Sequence, residues 1–267
     1  MNIISLTALD LGLAAVLVIL LAVLSMRMRL GLERSILISA ARTVVQLLLV
    51  GLVLKAIFAN AHLGWIIIIA LVMLIVAGRE VMVRQNRRFK GIWGFGLGTS
   101  SMFVSTFVVT LLSLTVVINA QPWYTPQYAI PLLGMMFGNT MNGIALGLDR
   151  LTQTTWQNRA IIEGRLLLGY NWRLAISDIH RESIRAGLIP ILNAMAVAGI
   201  VSLPGMMTGQ ILAGAQPIDA VNYQILIMFM IAAGTGFGTV VAVTFGARRL
   251  FDHRERLRLD RLMKNGG

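Results

Sequence analysis

The sequence predicts an all-α, polytopic membrane protein, and three observations lead there. Of its 267 residues 57% are hydrophobic and only 13% charged, with a mean hydropathy of +0.79. A soluble domain carries about a quarter charged residues. Several apolar runs approach or exceed the roughly 20 residues that cross about 30 Å of hydrocarbon as a helix. The basic residues fall in the breaks between those runs, which is how orientation is encoded in membrane proteins. This leaves room for one membrane domain, expected over 1–247 with a charged platform at 149–187, followed by a basic tail at 248–267.

Taken in order, the first span covers 7–26 and is apolar after Asp10. It lacks a basic leader and a small-residue cleavage site before Arg27, so a retained span is expected rather than a signal peptide. The second, at about 36–58, contains Arg42 and Gln46. A short turn with His62 leads to an isoleucine-rich third span at 63–77 and then to a basic loop. The fourth covers about 92–118, and the loop behind it holds Pro122, Trp123, Tyr124 and Pro126, turn chemistry with interfacial aromatic anchors. The fifth, at about 128–148, runs into the platform. The sixth is expected at 188–203, a Gly- and Met-rich connection at 204–217, and the seventh at 220–247.

All but two of the 23 Lys and Arg, Arg42 and Lys55, lie in the loops after the first, third and fifth spans and in the tail. Those segments are therefore expected in the cytoplasm, with about seven spans, the N-terminus outside and the C-terminus inside. The net charge of +12 thus reflects topology, and no nucleic-acid partner is expected. With no cysteine, disulfides, thiolate metal sites and cysteine nucleophiles are excluded.

The 11 acidic residues bear on the energy source, because all lie near span ends or in the loops. Ion-coupled carriers place a carboxylate or histidine near the bilayer midplane, and this chain places neither there. It also has no Walker A sequence. The Gly-rich runs 94–98 and 234–238 follow no strand and lie in apolar spans, so they are helix-packing sequences. A transporter without internal fuel needs an external motor. The platform is where one would grip, since it mixes its charges with Ile161, Ile162, Leu166, Leu167, Leu168, Leu174 and Ile176. The alternatives are an amphipathic helix lying on the membrane surface, and a motor-independent carrier or channel.

Within the platform, Glu163-Gly164-Arg165-Leu-Leu-Leu-Gly169 resembles the coupling loop of ABC importer permeases, Glu-Ala-Ala, three residues, Gly. In that family the loop forms two short helices that fit a groove on the ATPase. The family's downstream Leu-Pro is missing here. Glu182 and Arg185, at the foot of the next span, join Glu163, Gly164, Arg165 and Gly169 as candidate coupling residues.

Candidate pathway residues are Asn139 and Asn142, three apart and so on one helix face expected to point into the bundle. Met135 and Met136 stand close by in sequence, and Met206 and Met207 lie in the second motif stretch, just before Gln210. Gln210 follows Pro204-Gly205 and is expected in broken backbone, which at membrane depth is tolerated only inside protein or beside a wet cavity. Pro190 is expected in the first turns of its span. Arg42, about one turn inside its span, shares a face with Gln46; snorkelling to the surface and a gating role are both open. Methionine packs irregular cores and also offers a thioether, which suits Cu(I) better than iron, so packing and substrate contact both stay open. For the amides, helix–helix hydrogen bonding and pathway lining are open.

Four stretches together, Ala41-Arg-Thr-Val-Val-Gln46, Gly134-Met-Met-Phe-Gly-Asn139, Ser183-Ile-Arg-Ala-Gly-Leu-Ile-Pro190 and Ser202-Leu-Pro-Gly-Met-Met-Thr-Gly209, make the chain resemble the FetB-type ABC permeases. The resemblance runs from about residue 30 to 247. It implies a multi-pass subunit of the bacterial inner membrane that exports a metal, iron first, and is itself not an enzyme. It implies no cofactor on this chain; ATP and Mg²⁺ would be bound by a separate cytoplasmic ATPase. Because an ATPase dimer needs two platforms, a permease homodimer is expected. The metal's ligands are unknown at this stage.

Overall fold

The computed structural model describes residues 7–59, 62–119 and 121–264. It is helical nearly throughout, as it must be where lipid offers the backbone no hydrogen-bond partner. Six helices are long and apolar enough to cross a membrane. The chain forms two compact units, Met1–His62 with Leu212–Gly214, and Leu63–Ile211 with Ala215–Gly267.

The first unit holds α1 (Ala8–Arg27) and α2 (Glu33–Ala59). Thr7 and Asp10 cap α1 reciprocally: Asp10 Oδ2 accepts from the Thr7 backbone N–H at 2.8 Å, and Thr7 Oγ1 accepts from Asp10 at 3.4 Å. Both helices expose leucines and valines along their length, as lipid-facing helices do.

The second unit contains α3 (Leu63–Val83), α4 (Ile92–Leu112), α5 (Pro126–Gln157), α6 (Arg159–Leu167), α7 (Trp172–Ala175), α8 (Ser177–Val197), α9 (Gly205–Leu212) and α10 (Pro217–Arg249). Proline opens both α5 and α10, where its missing N–H has no helical partner to lose. After α4 the backbone widens into a π turn at Ser113–Val117, with Ser113 Oγ bonded to the Val109 carbonyl at 2.9 Å.

Small residues set the packing, because in lipid helices associate by close van der Waals contact rather than by hydrophobic burial. A Cβ on Gly187 of α8 would lie 2.5 Å from the Gly143 carbonyl oxygen of α5. One on Gly143 would lie 2.5 Å from Thr235 Cγ2 of α10. These contacts also fix direction. From α5 to α10, Gly143 meets Thr235 and Thr239, Gly147 meets Val243, and Leu148 and Leu151 meet Gly246, so the two helices run parallel. From α5 to α8, Gly143 meets Gly187 and Gly147 meets the Ser183 carbonyl, so they run antiparallel. Parallel neighbours so far apart in sequence need a return crossing between them, and α8 supplies it.

That crossing differs from the expected 188–203. The helix is Ser177–Val197, and its polar first half (Asp178, His180, Arg181, Glu182, Arg185) keeps it from qualifying as an apolar span. Pro190 sits in its second half rather than in its first turns. The expected break around Gln210 is also corrected: Pro204 starts α9, Thr208 bonds the Pro204 carbonyl through both backbone and side chain, and Gln210 is helical. Six of the seven expected spans correspond to α1, α2, α3, α4, α5 and α10; the one expected at 188–203 is met only in part by α8, which ends at Val197, and α9 lies in the expected connection at 204–217.

The segment after α10 does not trail from the bundle. It folds back as a strap, and β2 (Leu262–Lys264) pairs antiparallel with β1 (Arg87–Phe89) from the loop after α3. One apolar cluster joins the bundle to this cap through Leu148 and Leu151 of α5, Ile162, Ile176, Phe251 and Leu262.

The close approach of α5 and α8 makes a direct prediction. Gly187→Ala should lower stability by about 1–3 kcal/mol, the usual cost of overpacking, whereas Gly138→Ala, with nothing within 4 Å of the added Cβ, should be near neutral. Thermal unfolding in detergent checks the pair; equal midpoints would contradict the packing described.

Candidate functional site

The platform is built at the charged end of the second unit. α5 continues beyond its apolar part and carries Asp149, which accepts from the Asn86 backbone N–H at 2.7 Å. Thr152 Oγ1 donates to the Arg87 carbonyl at 2.7 Å, and the Arg87 guanidinium lies 3.9 Å over the Trp156 ring. α6 then buries Ile162 beneath itself. It ends in a Schellman turn: Gly169, at φ +89°, donates to the Leu166 carbonyl and Tyr170 donates to Arg165. The glycine of the Glu163–Gly169 pattern therefore serves as the helix stop, in the left-handed region that a side chain resists.

α7 is capped by Asn171, whose Oδ1 accepts from Leu174 at 3.0 Å. Arg165 reaches back from α6 to the Ala175 carbonyl at 3.1 Å and to Asp178 at 2.9 Å, closing α6, α7 and α8 into one piece. Glu182 of α8 pairs with Arg150 of α5. Two of the six coupling candidates, Arg165 and Glu182, thus brace the platform. Glu163 and Arg185 are exposed, and Gly164 is half-buried.

Among its exposed charges the platform also shows the solvent large apolar side chains. Leu167 is 89% exposed and Leu168 79%, with Ile161, Tyr170 and Leu174 also exposed. Beside them a cavity of about 610 Å³ separates the end of α6 from the strap; Glu163, Leu167 and Tyr170 face Arg254, Glu255 and Arg256 across it. Exposed apolar side chains rimmed by charge mark an interaction surface. The strap holds this surface from behind, since Glu255 accepts from the Trp172 backbone N–H at 3.0 Å and the Trp172 ring packs on Phe251 at 5.9 Å.

The pathway candidates separate. Met136 is buried at one end of the bundle among Leu114, Leu132, Ile191, Ile227 and Ile231, and Met135 and Met206 pack on the same cluster. Asn139 is half-buried and donates to its own helix, at the Met135 carbonyl. Asn142 does not point into the bundle as expected: it is exposed and accepts a hydrogen bond from Arg84, in the turn after α3. Met207 is half-buried, and the Gln210 carbonyl oxygen is buried without a hydrogen-bond partner. Arg42 and Gln46 are exposed on α2, in the first unit, and Arg42 stands in the third turn of that helix, not the first, because the helix starts at Glu33.

The sequence reading missed a seam of hydroxyls. Thr106 and Thr110 of α4, Thr140 of α5, and Thr235 and Thr239 of α10 are buried with side-chain oxygens lacking any bonded partner. Thr140, Thr235 and Thr239 meet at the glycine contacts between α5 and α10. The Gly-Thr and Thr-x₃-Thr spacings on α10 were the available signal. Among the described residues, no group of three His, Cys, Asp or Glu side chains converges as a metal centre would require.

Bundle and charged cap together define a multi-pass helical membrane protein. The chain belongs to the uncharacterised protein family UPF0014, which matches residues 8–251. It is 39% identical to a UPF0014 membrane protein of Synechocystis sp., covering 85% of this chain and 87% of that one. It is 32% identical to the "probable iron export permease protein FetB" of Escherichia coli, over 99% and 100% of the two chains. It is 35% identical to the protein ALUMINUM SENSITIVE 3 of Arabidopsis thaliana, over 86% and 82%. No solved structure matches it.

The strap yields a pH prediction. The Arg256 backbone N–H, above all, holds the Asp252 carboxyl down to about 2; burial opposes this, and the Arg256 guanidinium and Arg254 N–H add to the lowering. Asp260 is likewise held at about 2, chiefly by its hydrogen bonds with Arg258. A depressed carboxylate stabilises the fold above its ordinary value of about 3.9, and that contribution disappears as pH falls toward the depressed one. Pepsin should therefore cut within 250–264 increasingly as pH falls from about 4 to 2. In the Asp252→Asn/Asp260→Asn variant, cutting should already be high at pH 4 and change little below it. Flat cutting in the parent protein would contradict the assignment.

Proposed function

We propose that this chain is the membrane subunit of an ABC transporter that exports a metal ion, iron first, driven by a separate ATPase seated on α6 and α7. The observation that carries the reading is the braced platform, which turns leucines outward at the end of the molecule where the basic loops gather. Such side chains gain little in water and much in a partner's groove. The printed name of the Escherichia coli relative supports the substrate, while the Arabidopsis relative, named for aluminium sensitivity, makes aluminium the second metal to test. ATP and Mg²⁺ are bound by the partner. The reading entails two permease copies, one for each half of an ATPase dimer. It also puts the platform in the cytoplasm, in line with the basic loops, so that the C-terminus lies inside and the N-terminus outside a bacterial inner membrane.

Leu167→Asp/Leu168→Asp should reduce co-purification of the co-expressed ATPase by roughly tenfold or more, as loss of a hot-spot pair does. Permease yield should hold, because both side chains already face solvent. Glu163→Lys complements this pair; Arg165→Glu would also break the brace to Ala175 and Asp178. Recovery of the ATPase at parental yield would overturn the docking site. In vesicles carrying both subunits, ATP-dependent iron movement compared with aluminium tests the cargo.

The chain has no cysteine, so Leu168→Cys introduces a single thiol. An impermeant maleimide should label it only after cells are opened. Labelling in intact cells would place the platform outside and defeat the reading.

A further inference from the structure

A second feature at the charged end lies where α10 leaves the apolar region. Arg248 and Arg249 end that helix, and Trp93 stands near the start of α4, its ring centre 4.5 Å from the Arg249 guanidinium. A cavity of about 320 Å³ opens here, lined by Trp93, Phe245, Arg248, Arg249, His253 and Arg261 among others. A neighbouring cavity of about 530 Å³ shares Phe245 and Arg248 and extends to Trp172 and Arg173. Arg248 lies 5.2 Å over the Trp172 ring, between the two cavities.

Charge in this corner does not balance. Asp252 is the one carboxylate lining the first cavity, and it is occupied by the Arg254 and Arg256 backbone N–H groups and the Arg256 guanidinium. Glu255, in the second, accepts from the Trp172 backbone. Arg261 is committed to the Arg249 and Phe251 carbonyls. Among the described residues, Arg248 and Arg249 make no ion pair; their neighbours are aromatic faces. Just below them, toward the apolar region, Phe245 is 61% exposed and Phe237, about two turns deeper, 64%. Ile92, next to Trp93, is exposed as well.

Two unpaired guanidiniums above an exposed aromatic track, at the level where an apolar span ends, match one kind of ligand. Guanidinium binds phosphate oxygens in charge-assisted pairs, aromatic rings anchor at the headgroup level, and basic pockets between spans take anionic headgroups. We propose that the corner formed by Trp93, Phe245, Arg248 and Arg249 is a binding site for an anionic phospholipid. The phosphate is held by the two arginines, and an acyl chain lies along Phe245 and Phe237. The inference needs only membrane insertion and stands apart from the transport reading.

Native mass spectrometry of the detergent-purified full chain tests it, with phosphatidylglycerol, phosphatidylcholine of the same acyl chains, or inorganic phosphate as the probe. A basic residue near the headgroup level is worth roughly a factor of five, so two should favour phosphatidylglycerol over phosphatidylcholine by about 30-fold. The Arg248→Gln/Arg249→Gln variant should lose that preference, and Lys55→Gln, an equal kind of charge loss on α2, should keep it. If the double variant does not accumulate, Arg248→Gln alone, on an exposed side chain, should lower the preference about fivefold. Equal preference in parent and variant, equal binding of the two lipids, or the same loss in Lys55→Gln would overturn the proposal. Inorganic phosphate that binds and displaces phosphatidylglycerol would overturn it too, reassigning the corner to a soluble anion.

Discussion

The backbone contact between Gly143 of α5 and Gly187 of α8 is the constraint on which the second unit depends. With no Cβ on either side, α8 lies against α5 closely enough for both to touch the same face of α10 through Thr235 and Thr239. That three-way approach makes α5 and α10 parallel and forces the chain between them to return through the bundle. Lipid supplies no hydrophobic drive for helix association, so the energy comes from the density of these contacts. A methyl group at the seam would separate all three helices at once.

The same seam determines where the platform stands. α5 is long enough to leave the apolar region beside α8, and its extension carries α6 and α7 out on a rigid stem. Arg165, Glu182 and Asp149 each join two segments of this cap, and the strap adds Glu255 and Phe251 behind Trp172. Several charged residues thus hold shape, while Leu167, Leu168 and Leu174 are left facing outward beside the exposed Glu163 and Arg185.

Spans, basic loops and the platform's position were legible because length, hydropathy and charge are local properties of the sequence. Six of the seven apolar runs became helices close to their expected places. The α8 boundary was not legible: its charged first half reads as loop, yet Arg150 of α5 and Arg165 of α6 supply the partners that let Glu182 and Asp178 lie along a helix. Gln210 was misread because Pro204-Gly205 is also a good helix start. The inward face assigned to Asn139 and Asn142 treated polarity as sufficient reason for burial; Arg84, 58 residues earlier, satisfies Asn142 at the surface. The strap was read as a tail because its charge is local, while its anchors, β1 and Trp172, lie far back in the chain. The hydroxyl seam left only a partial trace, the threonine spacing on α10; Thr106, Thr110 and Thr140 look ordinary until three helices bring them together.

The pairing of β2 with β1 orders events during biosynthesis. Residues 87–89 emerge from the ribosome when most of the chain is still unmade, and their strand partner at 262–264 follows only after α10 has been delivered to the membrane. Until then the loop after α3 has an open edge and Trp172 lacks the support of Phe251. A chain that stops before 262 has no β2 to lay against β1, so its cap stays unfinished however complete its helices are.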